Sequence, residues 1–302
     1  MTAPSAAVER QASVVPRPLT RTLALELADP PAPLSPSEVT LYWLGQAGFV
    51  IDAGPLRLLI DPYLSDSLAR KYRGARYTHV RMMASPIAPE QIGRVDLVLC
   101  THRHTDHMDP DTLQPLAHAF PALRFVVPAA SLAEAAQRCG VGQDRLIGVE
   151  ARQVVEPLPG LLLRAVVSAH ESPAPNADGL HEWLGYVIDV AGVRLYHSGD
   201  CVPYDGLEGI VRDLAPDIAM LPVNGRDSAR SQGGVPGNFS LDEALALCHS
   251  AQVPAMVAHH YGLFDFNTVA PSTIDDRVDE QAARGLLLTR ARLDTALSVT
   301  AR

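Results

Sequence analysis

A chain of 302 residues with 47% hydrophobic and 20% charged side chains is long enough for one large domain or two ordinary ones, and it excludes wholesale disorder and a cysteine-dense secreted scaffold. Its 25 basic and 34 acidic residues leave a formal charge of −9, which argues against nucleic acid as a partner unless the cations gather on one face. Lys71 is the only lysine among those 25 cations, so Schiff-base chemistry has one candidate, while the arginines suit fixed anion recognition.

Cys100, Cys139, Cys201 and Cys248 are widely spaced and form no CxxC. That excludes a zinc knuckle or thioredoxin-like motif and fits a reducing cytoplasm. No apolar run reaches the ~18 residues of a membrane span, and the first twenty residues lack the apolar stretch of a signal peptide. The expectation is a soluble cytoplasmic protein with no membrane partner.

Residues 1–36 carry prolines at 4, 16, 18, 30, 31, 33 and 36. They read as an extended arm with one short helix near Leu23 to Leu27, set apart from a single catalytic domain over 37–302. Such an arm is a candidate for packing on a second copy in a homo-oligomer. From Val39 onward, short apolar or alternating runs separated by Gly, Pro and Asp predict strands over 39–44, 47–52, 56–60, 95–100, 124–127, 161–169, 184–190, 193–197, 217–221 and 254–258. Helical spacing falls at 110–119, 131–139, 239–251 and 272–284. The third opens on Ser240 with Glu243 three residues later, a capping box. The class is α/β, with too many hairpins for a purely parallel sheet. Gly48-Phe-Val-Ile-Asp52 is echoed by Gly185-Tyr-Val-Ile-Asp189, and Arg57-Leu58 by Arg194-Leu195 at the same offset. Two similar β units, each running into an acid (Asp61 and Asp200), would meet at a shared edge.

The chemistry concentrates in Leu97-Val-Leu-Cys-Thr-His-Arg-His-Thr-Asp-His107, where a strand runs straight into His102, His104, Asp106 and His107. In extended chain, residues i and i+2 face the same side, so His102 and His104 can share one ion while Asp106 and His107 reach a second. This composition would produce the pattern by chance in about one chain in 1,000, the false-positive rate that a motif claim has to state. Further ligands should lie at other strand ends, which nominates His170, Asp200 as a bridge, and His260, with His259 as its supporting neighbour. Asp61 is a candidate to accept the second N–H of a ligating imidazole.

These residues resemble the metallo-β-lactamase superfamily, whose fold is an αββα sandwich of two similar halves with metals at the shared strand ends. Within residues 39 to 270, Leu44-Gly-Gln-Ala-Gly-Phe49, Ile60-Asp-Pro-Tyr-Leu-Ser-Asp-Ser67, His197-Ser-Gly-Asp200, Leu221-Pro-Val-Asn-Gly-Arg-Asp227 and His259-His-Tyr-Gly-Leu-Phe264 are similar to the L-ascorbate-6-phosphate lactonase family, a manganese-dependent cytoplasmic branch. Three features depart from that branch: Arg103 stands where an acid is common, Cys201 where threonine is usual, and the chain is short.

Two divalent ions sharing Asp200 would make hydrolysis the natural reaction, with Asp106, Asp200 and His260 in the catalytic roles. His and carboxylate ligands without thiolate suit Mn, Zn or Fe, and the resemblance favours Mn. Arg70, Lys71, Arg73, Arg76 and Arg81, together with Asn224 and Arg226 in a Gly-rich loop, point to a small anionic substrate, and His181 is a further candidate contact. The leading expectation is a lactonase-like hydrolase of a phosphorylated or carboxylated metabolite. The alternatives are a phosphodiesterase of nucleotide or phospholipid type on the same fold and a catalytically silent metal-binding subunit.

Overall fold

Between Glu38 and Ala53, successive side chains alternate between two apolar surroundings, the two-residue period of strands covered on both faces. Val39, Leu41, Trp43, Phe49 and Ile51 join one core, whereas Tyr42, Leu44 and Val50 join another. In the computed structural model, which describes residues 13–29, 37–170 and 172–300, this pattern extends over two sheets.

The first part of the chain forms β1 (Ser13–Pro18), α1 (Leu23–Ala28), β2 (Glu38–Gly45), β3 (Gly48–Ala53), β4 (Leu56–Ile60), α2 (Ser67–Lys71), β5 (Leu97–Leu99), α3 (Pro110–Ala119), β6 (Arg124–Pro128), α4 (Leu132–Cys139), β7 (Leu146–Val149) and β8 (Val154–Leu158). The remainder forms β9 (Leu161–Val167), β10 (Leu184–Val190), β11 (Val193–His197), α5 (Leu207–Leu214), β12 (Ile218–Pro222), α6 (Ser228–Gln232), α7 (Leu241–Ser250), β13 (Ala255–His259), α8 (Pro271–Asp275), α9 (Val278–Ala283), β14 (Leu287–Arg290) and β15 (Thr295–Thr300).

One sheet runs β1-β15-β2-β3-β4-β5-β6-β7 and the other β14-β13-β12-β11-β10-β9-β8. Their inner faces enclose the larger core. Leu113, Leu116 and Ala135 of α3 and α4 cover the outer face of the first sheet, and Leu207, Val211, Leu241, Leu245 and Cys248 of α5 and α7 pack on the second. The layers are helix, sheet, sheet, helix, and the sheets are mixed, as the sequence implied. The β4–β5–β6–β7 pairs and the β11–β12–β13–β14 pairs are parallel. Their carboxyl ends therefore gather along one edge of each sheet, where ligands bind in open α/β sheets.

The two halves repeat in atomic detail. Asp52 faces Arg57 across β3–β4, and Asp189 faces Arg194 across β10–β11. Each arginine Nε donates to its aspartate at 2.6 Å. Each arginine backbone N–H donates to a further aspartate, Asp96 or Asp217, at 2.7 Å. Nη1 of each caps a helix-associated carbonyl, Leu27 or Leu214. The glycines that open the two hairpins are also equivalent: a Cβ on Gly48 would lie 3.0 Å from the Asp61 carbonyl oxygen, and one on Gly185 2.8 Å from that of His197. Only glycine lets the backbones approach this closely.

Two expectations change. The segment read as an arm supplies β1, which pairs with β15 along all six of its residues, and Leu27 of α1 is fully buried. Pro16 and Pro18 are tolerated because β1 is an edge strand. Residues 13–29 therefore pack with the body of the fold, while 1–12 and 30–36 of that arm lie outside the described residues. The helix expected over 272–284 is two helices, because Arg277 N bonds to Ile274 O, a three-residue tightening that ends the first. The capping box holds: Ser240 and Glu243 bond reciprocally at the start of α7.

The Arg57–Asp52 pair is sealed, with side-chain exposures of 2% and 10%, whereas Arg194 and Asp189 retain 19% and 18%. Asp52→Ala would strand a buried guanidinium and should cost about 3–5 kcal/mol. Asp189→Ala should cost about 1 kcal/mol, because solvent screens that pair. Urea midpoints of the two variants check the difference, and equal losses would contradict it.

Candidate metal centre

The turns after β5, β9, β11 and β13 bring seven side chains to the gathered strand ends. His102, His104 and His170 form one group with ligand atoms within 4.8 Å of one another, and Asp106, His107 and His260 form another. Asp200 lies between them. Its Oδ1 is 3.2 Å from His107 Nε2 and 3.1 Å from His260 Nε2, while its Oδ2 is 3.6 Å from His170 Nε2. Asp106 Oδ2 is 3.9 Å from both His107 and His260 Nε2. The seven side chains nominated at the strand ends therefore lie together in the structure.

Asp61 fixes which imidazole nitrogens face inward. His107 Nδ1–H donates to Asp61 Oδ2 at 2.7 Å. Thr101 Oγ1 donates to the same oxygen at 2.7 Å and is 3.0 Å from His102 Nδ1. Both rings are thereby held by Nδ1 with Nε2 free to ligate, as metal-binding histidines usually are. Among the described residues, Nε2 of His102, His107 and His260 and Oδ1 of Asp200 are buried without hydrogen-bond partners.

The electrostatics point the same way. Burial alone would raise the Asp200 carboxyl, but His260, His107 and His170 outweigh it and hold it well below the usual carboxylate range. Burial would depress His107, yet Asp200, Asp61 and Asp106 raise it well above an ordinary imidazole. His102 falls well below its ordinary value through burial and the neighbouring His107 and His104, and burial pushes His170 down to about 4. Two carboxylates facing this ring of nitrogens require positive charge between them, and a donor set of imidazole nitrogen and carboxylate oxygen fits a divalent cation.

Of the two histidines at the end of β13, His260 joins the cluster. His259 instead stacks on His197 (4.8 Å between ring centroids) and meets Phe49 edge-on, backing the cluster through packing. His197 is locked in turn, donating from Nε2 to the Ala47 carbonyl and accepting from Gly199 N–H.

The expected anion contacts are rearranged. Arg226 binds Glu243 through two bonds of 2.6 and 2.7 Å and also donates to the Asn238 carbonyl. It ties the loop to the start of α7 and is absent from the cleft lining. Asn224 is buried between Asn238 and Asn267. His181 is held by Glu150 through its ring and its backbone N–H, again outside the cleft. Arg70 pairs with Asp111, and Arg81 spans the carbonyls of Tyr63, Ser65 and Met83. Lys71 does line the cleft, a cavity of about 290 Å³ above the cluster.

Gln46 carried no assigned role in the sequence reading, although it lies in a quoted motif. Its Nε2 donates to Asp106 Oδ2 at 2.9 Å, and its carbonyl accepts from His260 N–H and Trp43 Nε1. It thus orients two members of the cluster from a left-handed backbone (φ 51°).

A helix–sheet–sheet–helix sandwich of two similar halves, with a His/Asp cluster at the shared strand ends, is the metallo-β-lactamase fold. Residues 56–261 match the family described as the beta-lactamase superfamily domain, and the chain belongs to that family. A UPF0173 metal-dependent hydrolase of Thermoplasma acidophilum is 28% identical over 232 residues, covering 76% of this chain and 87% of that protein. Among solved structures, a metallo hydrolase from Ignicoccus hospitalis superposes with a TM-score of 0.63 at 20% identity, covering 87% of this chain and 98% of its own. An isothiocyanate hydrolase from Delia radicum gut bacteria gives 0.65 at 18%, covering 85% and 98%. At these identities, the likeness to the two solved structures is one of fold.

Gln46→Ala removes the donor that holds Asp106 while leaving every candidate ligand in place. Affinity for Mn²⁺ or Zn²⁺ should fall about 10- to 100-fold, the usual cost of losing a partner that orients a ligand. Calorimetric titration of the metal-stripped protein measures it, and unchanged affinity would remove Gln46 from the centre.

Proposed function

We propose that the chain is a metal-dependent hydrolase acting on a lactone or related ester of a small anionic metabolite. One observation carries this reading: Asp200 touches His107, His170 and His260 at 3.1–3.6 Å at the floor of the cleft, an arrangement suited to two divalent ions with a shared carboxylate. Ions held there by His102, His104, His170, Asp106, His107, His260 and Asp200 supply Lewis-acid activation of water and of a carbonyl or phosphoryl oxygen at neutral pH. The hydrolase names of the curated relatives support the same class.

The side chains of the cleft divide the remaining work. Asp106 is the more exposed of the two carboxylates, at 17% against 5% for Asp200, so it is the one placed to take a proton from the attacking water, while Gln46 steadies its Oδ2. Asp200 is enclosed by imidazoles and acts as the fixed charge. Cys201 donates its thiol to the Val202 carbonyl at 3.4 Å, so the donor set stays free of sulfur and suits Mn, Zn or Fe. A cavity of about 290 Å³ lies at the small end of ligand pockets and favours a metabolite over a lipid or a polynucleotide.

Charge in the cleft supports an anionic substrate. Arg103 is paired with Glu134 and Glu182, and Arg138 with Glu134. Lys71 packs its ammonium over Tyr72 at 5.0 Å and has no carboxylate partner among the described residues, which leaves it available to a carboxylate or phosphate. The lactonase branch suggested by the sequence motifs fits this cation; phosphodiesters are the competing substrates.

Chelation should abolish turnover, and Mn²⁺ or Zn²⁺ should restore it. Asp200→Asn, which keeps the size and removes the charge, should lower kcat/KM by orders of magnitude without unfolding the protein. Lys71→Ala should raise KM about tenfold for a carboxylated γ-lactone, the loss of one charged hydrogen bond, and leave its neutral analogue unaffected. A screen of lactones against phosphodiesters with the metal-loaded protein decides the substrate class, and hydrolysis of phosphodiesters alone would replace the lactonase reading.

A further inference from the structure

Asn238 and Asn267, which line the cleft above the cluster, belong with Asn224 and Arg230 to a directional relay. Asn238 Nδ2 donates to Asn224 Oδ1 at 3.1 Å, and Asn224 Nδ2 donates to Asn267 Oδ1 at 2.7 Å. Arg230 Nη1 donates to the same Asn267 oxygen at 2.8 Å, and its Nε is anchored on Asp227 at 2.5 Å. A carboxamide has one accepting and one donating end. With both donors on its oxygen, the Asn267 amide cannot be reversed without setting N–H against N–H. Its Nδ2 donates to no protein atom among the described residues, although Asn267 lines the cleft and is only 8% exposed.

We propose that Asn267 is a substrate-recognition residue whose Nδ2 binds an oxygen of the substrate's anionic group, with Asn224 and Arg230 as the positioning residues that fix the amide with nitrogen toward the cleft. The inference deepens the hydrolase reading and rests on it for the class of reaction. Two features select an anionic oxygen over any other acceptor. The cationic Arg230 withdraws electron density from the amide oxygen and so strengthens the opposite N–H as a donor. The cleft wall at Asn267 also continues to Lys71 through ring contacts: Lys71 over Tyr72, Tyr72 stacked on His79 at 4.4 Å, and His79 edge-on to Phe266, the neighbour of Asn267, at 4.7 Å. A donor and a cation on one wall, facing a metal cluster on the floor, would hold a carboxylate or phosphate away from the bond that is cleaved.

The test uses the metal-loaded full chain as wild type, Asn267→Ala, Asn267→Asp and Asn224→Ala. One probe is inorganic phosphate, followed by calorimetry; the other is a γ-lactone bearing a carboxylate, paired with its neutral methyl analogue. Asn267→Ala should weaken phosphate binding and raise KM for the carboxylated lactone about tenfold, with kcat within about threefold and the neutral lactone unaffected. Asn267→Asp keeps the shape and the bonds to Arg230 and Asn224 but turns an oxygen toward the anion, so it should lose more than the alanine variant. Asn224→Ala touches no ligand and should reproduce part of the loss by freeing the amide to turn. Equal losses on both lactones, or phosphate affinity unchanged in all three variants, would overturn the assignment. If the wild type hydrolyses neither lactone, the lactonase reading fails, while the phosphate titration still decides the role of Asn267.

Discussion

A carboxylate that is 4% exposed has to be surrounded by compensating groups, and most of the edge where the two sheets meet is organised to compensate Asp200. The side chain reaches three imidazoles from three different turns. Its own backbone carbonyl takes a hydrogen bond from Ser168 Oγ at 2.7 Å, which ties the turn after β11 to the one after β9. A buried charge left without partners would cost several kcal/mol, so the turns cannot move apart independently. The surrounding backbone carries strain for the same reason. Gln46, Asp61 and His260 all have left-handed φ values, 51°, 45° and 62°, and such positions cost of order 1–3 kcal/mol each for residues other than glycine. Each is held by contacts already described: Gln46 by Trp43 and His260, Asp61 by Thr101 and His107, and His260 by its N–H to Gln46.

The pseudo-symmetry explains how the scaffold can carry that load. Both hairpins solve the same problem, an arginine pinned by an aspartate across the strand, by a second aspartate at its backbone and by a carbonyl at its tip. The halves diverge where each second strand ends. In the first half Asp61 turns inward to hold Thr101 and His107, whereas in the second Asp200 reaches the cluster itself. One repeat supplies the acid that orients ligands and the other the acid at the centre, so the cluster depends on both halves being present and in register.

Much of this was legible in the sequence because it is local. Strand periodicity, the capping box at Ser240 and the run from His102 to His107 depend on spacings of two to six residues, and strand ends then narrowed the distant candidates to His170, Asp200 and His260. What escaped depends on pairing at a distance. Arg226 was read as an anion contact, but Glu243 takes its guanidinium from 17 residues away. Glu150 takes His181 across 31 residues, and Gln46 reaches Asp106 across 60. No local pattern announces these partners, and an arginine bound for a helix cap looks the same as one bound for a substrate. The strands β7, β8, β14 and β15 were missed for a related reason. They are short or partly exposed, so their apolar pattern is diluted and only their neighbours define them. The long helix expected after Pro271 failed at a single local bond, which periodicity does not register.

Floor and wall of the cleft are built by different physics, and this bears on how the two could vary. The floor consists of strand ends and the turns that follow them, fixed by ladder hydrogen bonds and by the shared charge of Asp200, so a change there disturbs ligands on several turns at once. The wall comes from two loop segments that meet through rings: Tyr77 packs on Phe266, His79 against Phe264 and Phe266, and Tyr63 on Phe264. Arg81 ties the first of these loops to itself through three carbonyls. Aromatic packing of this kind fixes a loop without prescribing which polar groups it presents. Lys71 and Asn267 can therefore change while the geometry of the His/Asp cluster beneath them stays intact.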